Sequence, residues 1–178
     1  DENIIIDLYS PSMSSDDNLY GDSCYLNGEG MDARHACLEQ AAREIYRNNV
    51  EGATAEAGVF QGEFAKYIAR GLPDRRLYLF DTFSGFPVED IQNEDTNIID
   101  FTKDVGDFSD TSISIAKKNV GEYVDIDIRK GYFPDTTKGL EDERFSFVSL
   151  DMDLYKPIKA GLEFFYPRLN EGGVYICA

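Results

Sequence analysis

The sequence predicts an α/β domain built on a mainly parallel, doubly wound sheet, on three observations. Five short runs rich in Val, Ile, Leu, Phe and Tyr recur along the chain: TAEAGVF (54–60), RLYLFD (76–81), VDIDIRKG (124–131), FSFVSLDMD (145–153) and GGVYICA (172–178). Stretches with helical spacing lie between most of them, the alternation that makes neighbouring strands parallel and covers a sheet on both faces. Several runs end in a glycine or an acid, at the strand ends where an open α/β sheet receives its ligands.

The elements follow in order. Residues 1–30 are rich in Ser, Asp, Asn and Gly without a sustained period, and read as an irregular arm ahead of a domain spanning 31–178. Asp32 is a plausible N-cap for a helix over DARHACLEQAAREIYRNN, with Ala33, Cys37, Ala41 and Ile45 on one face. Phe64, Ile68 and Leu72 give GEFAKYIARGL a second apolar face; TSISIAKKNVGEY and KPIKAGLEFFYPRL fill the later crossovers less regularly. Residues 88–110 interrupt the rhythm with many acids and one base, Lys103. Such a run reads either as a solvated loop or, beside a strand end, as a lid over a ligand.

Composition narrows the function. A chain of 178 residues that is 42% hydrophobic supports one domain with a sizeable core. Its formal net charge of −17 repels phosphate backbones and anionic lipid, so nucleic acid and membrane surfaces are not expected partners. No apolar run reaches the 18 or so residues of a membrane helix, and DENIIIDLYS lacks the basic start of a secretory signal, which points to a cytoplasmic protein. Cys24, Cys37 and Cys177 are odd in number and lack CxxC spacing, so reduced thiols are expected, with Cys37, in a helical pattern, and Cys177, in a strand pattern, buried as small hydrophobes. His35, the lone histidine, has no evident catalytic partner and reads as structural.

The acids at the strand ends carry the chemistry. The first run ends in Glu56, Ala57 and Gly58, with Gly62 opening the next helix; this GxxxG spacing differs from the GxGxxG that admits a dinucleotide pyrophosphate. A carboxylate at Glu56 would repel pyrophosphate and attract an ammonium group, such as the one in the methionine portion of S-adenosylmethionine. Asp81, closing the second run, is placed to accept hydrogen bonds from ribose hydroxyls. Asp151 and Asp153 flank one residue and, if the strand continues through them, point to one side, where they could share a proton or hold a cation. For methyl transfer to a hydroxyl, a divalent ion would stabilise the developing alkoxide and a neighbouring carboxylate would take the proton.

Three segments together, TAEAGVFQGEFAKYIA, LYLFDTFSGFP and FSFVSLDMDLYKPIKAGLEFFYPRLNEGGVYI, resemble the macrocin O-methyltransferase family, and the likeness runs from about residue 34 to the end. The resemblance implies a Rossmann-like class I methyltransferase fold and a magnesium-assisted, S-adenosylmethionine-dependent transfer to a hydroxyl of a sugar or other small molecule. It implies that Glu56, Gly58, Asp81, Thr82, Phe83 and Ser84 contact the cofactor, that Asp151 is a metal ligand, and that Asp153 is the general base. Tyr132 and Phe133 fall where adenine is often flanked, although core packing explains two aromatics equally well. The family's pattern continues past the fifth strand with an acidic segment that completes the metal site, so a chain truncated after that strand is expected. A cofactor-binding module without catalysis is the alternative reading, and an NAD-linked oxidoreductase a remoter one. The arm invites contact with a partner subunit, so a homo-oligomer is a further expectation.

Overall fold

The computed structural model describes residues 33–86, 108–122 and 124–177. The expected arm, the Asp32 cap, Cys24 and most of the acidic stretch lie outside these. The described elements are α1 (Ala33–Arg47), β1 (Ala53–Ala57), α2 (Glu63–Gly71), β2 (Leu77–Asp81), α3 (Ile113–Val120), β3 (Ile126–Lys130), β4 (Phe145–Leu150), α4 (Tyr155–Phe165) and β5 (Leu169–Cys177). Short 3-10 turns at Asp135–Thr137 and Tyr166–Arg168 precede β4 and β5. The strands form one wholly parallel sheet in the order β3-β2-β1-β4-β5. Among the described residues no helix is long and apolar enough to cross a membrane.

This order explains why the runs read as continuously apolar. β1, β2 and β4 lie inside the sheet, covered on both faces, and nearly every residue in them is buried. Leu77, Leu79 and Phe147 pack with α1, α2 and α3 on one side. Ala55, Ala57, Tyr78, Phe80 and Val148 pack on the other, against Phe165 of α4 and against Phe133. Phe165 touches the rings of Phe80, Phe133 and Phe145, a desolvated aromatic cluster that pins α4 to the sheet. On α2 the expected face is buried, with Phe64, Ile68 and Leu72 joined by Ala65 and Ala69. Ser112 caps α3 by accepting the Ile115 N–H at 3.2 Å.

Four expectations change. The buried face of α1 runs through Leu38, Ala41, Ala42 and Ile45, leaving Cys37 half-buried, because two adjacent stripes four apart cover more of the sheet than one. Cys177 is exposed rather than buried: among the described strands β5 lies at the edge of the sheet, and its residues are less buried than those of β4 beside it. The fifth strand begins at Leu169, three residues ahead of the GGVYICA run. The fourth strand ends at Leu150, so Asp151 and Asp153 are not consecutive same-side positions of a strand, and Asp153 has a left-handed backbone, φ 58°.

Candidate active site

The strand order reverses direction between β1 and β4, and a crevice opens where two such strands diverge at their carboxyl ends. A cavity of about 490 Å³ occupies that place, within the range that receives cofactor-sized ligands. Its walls include Glu56, Gly58, Asp81, Thr82, Asp151 and Asp153, so six of the residues singled out from the sequence meet in one space. Tyr132 and Phe133 line it too, and Phe133 also serves in the core. Phe83 and Ser84 do not line it. Phe83 turns its ring into the core behind β2, 5% exposed, while Ser84 stays at the surface of the turn. His35 is buried edge-on to the rings of Phe64 and Tyr67 and does not itself line the cavity.

The turn after β1 is built for close approach. Gly58 has φ 87°, and a Cβ there would stand 1.8 Å from the Asp151 carbonyl oxygen. Backbone bonds tie the turn to a strand on each side: Gly58 N–H donates to Phe80 O of β2 at 2.9 Å, and Asp151 N–H, just past β4, donates to Ala57 O at 2.8 Å. Asp81 organises the same turn. Its Oδ2 accepts the backbone N–H groups of Val59 at 2.7 Å and Phe60 at 2.8 Å, and its Oδ1 accepts that of Phe83 at 2.6 Å. Two lone pairs per oxygen leave acceptor capacity on Oδ1, so the side chain expected to meet ribose first shapes the loop.

Glu56 sits mid-sheet, level with Leu79 on β2 and Ser149 on β4. It is 1% exposed, and its Oε2 has no hydrogen-bond partner among the described residues. Burial raises its carboxyl well above the usual range; the charge of Asp151 pushes the same way, Arg34 pulls it back, Asp81 adds a smaller push, and the Ala65 N–H in the first turn of α2 a smaller pull. Glu56 is thus a carboxyl in the cavity wall with one buried oxygen that no described group hydrogen-bonds.

Asp153 is open to the cavity's solvent yet has protein on most sides. That crowding, with the charge of Asp151 beside it and despite Arg34, pushes its pKa up to about 6. Asp151 itself is ion-paired with Arg34, near the start of α1. Among the described residues no group of three or more His, Cys, Asp or Glu side chains could hold a metal ion. With Asp151 engaged by a guanidinium, the described donors do not make up the magnesium site implied for Asp151.

Several lining residues carry no signal in the sequence. Phe60, Phe86 and Phe108 form an edge-to-face trio, with Phe108 centred 5.2 Å from each of the others, and make an apolar wall. Phe108 belongs to the tail of the acidic stretch, where the neighbouring charges hide it. Gln61 donates to Asp110 O at 2.8 Å, tying this tail to the turn after β1, and Asn119 of α3 donates to Gln61 O at 2.9 Å, tying that helix to the same turn. Arg34 belongs to no motif, and its role depends wholly on where α1 docks.

Comparison with known proteins agrees with this architecture. The solved O-methyltransferase NovP superposes with a TM-score of 0.65 at 23% identity, covering 81% of this chain and 63% of that one. CalS11, a calicheamicin methyltransferase, gives 0.53 at 23% identity, with 81% and 63% covered. Its apo form, described as a TDP-rhamnose 3'-O-methyltransferase, gives 0.50 at 21%, with 81% and 61% covered. These likenesses establish the fold, and the chain spans less than two thirds of each structure's length. No curated protein sequence matches. The macrocin O-methyltransferase family model matches residues 28–178. The chain belongs to that family.

Proposed function

We propose that this protein binds S-adenosylmethionine and transfers its methyl group to a hydroxyl of a sugar or other small molecule. The observation that carries the reading is Glu56, a buried carboxyl in the wall of the cavity at the switch point of the sheet, one of whose oxygens has no hydrogen-bond partner among the described residues. An ammonium group is the partner that site lacks, and a pyrophosphate is what it would repel, which favours S-adenosylmethionine over NAD. The spare capacity of Asp81 Oδ1 suits a ribose hydroxyl, and the Phe60, Phe86 and Phe108 wall suits a flat heterocycle.

The cofactor supplies an electrophilic methyl on sulfur. Asp153 is the described carboxylate fitted to accept the acceptor's proton as its oxygen forms the new bond to carbon and the old bonding pair leaves with sulfur. Its raised pKa makes it a better base than an ordinary carboxylate while leaving it mostly ionised at neutral pH. The acceptor class rests on the family and on the TDP-sugar substrate named for CalS11.

Calorimetric titration with S-adenosylmethionine, S-adenosylhomocysteine and NAD tests the cofactor. The first two are expected to bind and NAD is not. An ammonium beside Glu56 favours its ionised form, so binding should release a proton, seen as a heat that varies with the buffer's ionisation enthalpy. The affinity should rise with pH through the elevated pKa of Glu56. A folded sample that binds NAD but neither adenosyl ligand would sink the reading. If cofactor binds but no labelled methyl reaches any hydroxylated acceptor, a binding module without catalysis replaces it.

Asp153→Asn separates chemistry from binding. Turnover is expected to fall by about 10²–10⁴-fold with cofactor affinity little changed, as for loss of a general base. The wild-type rate should rise with pH through about 6. The folded-state pKa exceeds the unfolded one, so the stability this group contributes is complete below its unfolded pKa and lost as pH rises through about 6. The asparagine variant should therefore melt higher than wild type at neutral pH and no higher in acid.

A further inference from the structure

The cavity's charges are lopsided. Glu56, Glu63, Asp81, Asp151 and Asp153 line it, and Arg34 is the one cationic side chain among the described lining residues. Arg34 projects from the first turn of α1, with its guanidinium 5.2 Å from the centre of the Phe64 ring and ion-paired with Asp151. The side chain is 33% exposed, so the cavity can reach it. Its charge acts on both Glu56 and Asp153, two carboxyls that line the cavity with Asp151.

We propose that Arg34 receives the carboxylate of the bound cofactor's amino-acid end, exchanging Asp151 for it. This rests on the S-adenosylmethionine reading and adds a residue to it. An α-amino acid carries its ammonium and carboxylate on one carbon, so a site for it needs an acid and a base close together. Glu56 and Arg34 are the described lining residues that meet this need. A guanidinium over an aromatic ring can turn its fork from one carboxylate to another of the same geometry. The ligand brings two positive charges and one negative into an acidic cavity, so Asp151 loses an arginine but faces a cation.

The test is a cycle of two ligands and two proteins, read by calorimetry. The ligands are S-adenosylmethionine and decarboxylated S-adenosylmethionine, which keeps the amine and the sulfonium. Wild type is expected to favour the carboxylated ligand by about tenfold or more, the scale of one hydrogen bond between charged groups. In Arg34→Met that preference should fall to about threefold or less, while the decarboxylated ligand binds as tightly as before or tighter; Arg34→Lys should recover part of the preference. Equal loss of both ligands in Arg34→Met would mean that Arg34 only holds α1 and Asp151 in place, and would overturn the assignment. So would an undiminished preference in the variant, or a wild type that does not discriminate. If wild type binds neither ligand, the cofactor reading itself falls and the assignment with it. Should Arg34→Met fail to fold, the comparison between wild type and Arg34→Lys decides, with an unchanged preference counting against the proposal.

Discussion

Gly58→Ala is expected to lower the melting temperature by about 10 °C and to abolish cofactor binding. The residue's φ of 87° is a conformation that costs an L-residue about 1–2 kcal/mol. The added methyl would also stand 1.8 Å from the Asp151 carbonyl oxygen, a backbone atom that moves only if β1 and β4 part. Overpacking of this kind costs about 1–3 kcal/mol more, and a chain of this size loses about 2–4 °C per kcal/mol. Separation of these two strands would displace Asp151 and widen the crevice that Glu56 faces. Gly139 provides the control: its φ is 85° and nothing lies within 4 Å of its added Cβ. Gly139→Ala should lose only the conformational part, about 1–2 kcal/mol, and keep cofactor affinity. Scanning calorimetry on the two variants decides, and similar melting temperatures would refute the tight crossing at Gly58.

The second large effect is expected at Asp81. Its carboxylate holds three backbone N–H groups, two from the turn after β1 and one from the turn after β2. Asp81→Asn keeps the shape but replaces an acceptor oxygen with a donor, so at least one of those N–H groups faces another donor. A hydrogen bond to a charged group contributes about 1.5–3 kcal/mol, and the loss should appear as a lower denaturation midpoint. Cofactor affinity should fall about 100-fold, because the loosened turn and the missing ribose acceptor act together. Ser84→Ala is the informative contrast. The family resemblance implies that Ser84 touches the cofactor, yet Ser84 is exposed and does not line the cavity, so affinity should stay within about twofold. A large loss at Ser84 with a small one at Asp81 would reverse the two roles.

The four acids at strand ends were legible because a strand's end is a local feature. Near the point where an apolar run stops, residues are offered to the crevice; this located Glu56 in the last two residues of β1, Asp81 as the last residue of β2, and Asp151 and Asp153 just past β4. Legibility ended where backbone geometry turned within one or two residues. Asp153 has left the strand, and Phe83, part of the same DTFS segment as Asp81, points its ring into the core.

By itself the sequence determined the fold class, the approximate strands and the acidic character of the site, since hydrophobic runs, glycine turns and formal charges are properties of neighbouring residues. Only the tertiary structure decided which of these groups share a cavity. The strand order β3-β2-β1-β4-β5 sets β1 beside β4, although α2, β2, α3 and β3 all intervene along the chain. The docking of α1 brings Arg34 to Asp151, and the tail of the acidic stretch brings Phe108 to Phe60. Burial, charge pairing and the idle oxygen of Glu56 depend on distances between residues far apart in the chain, and those distances exist only once the sheet has closed its core.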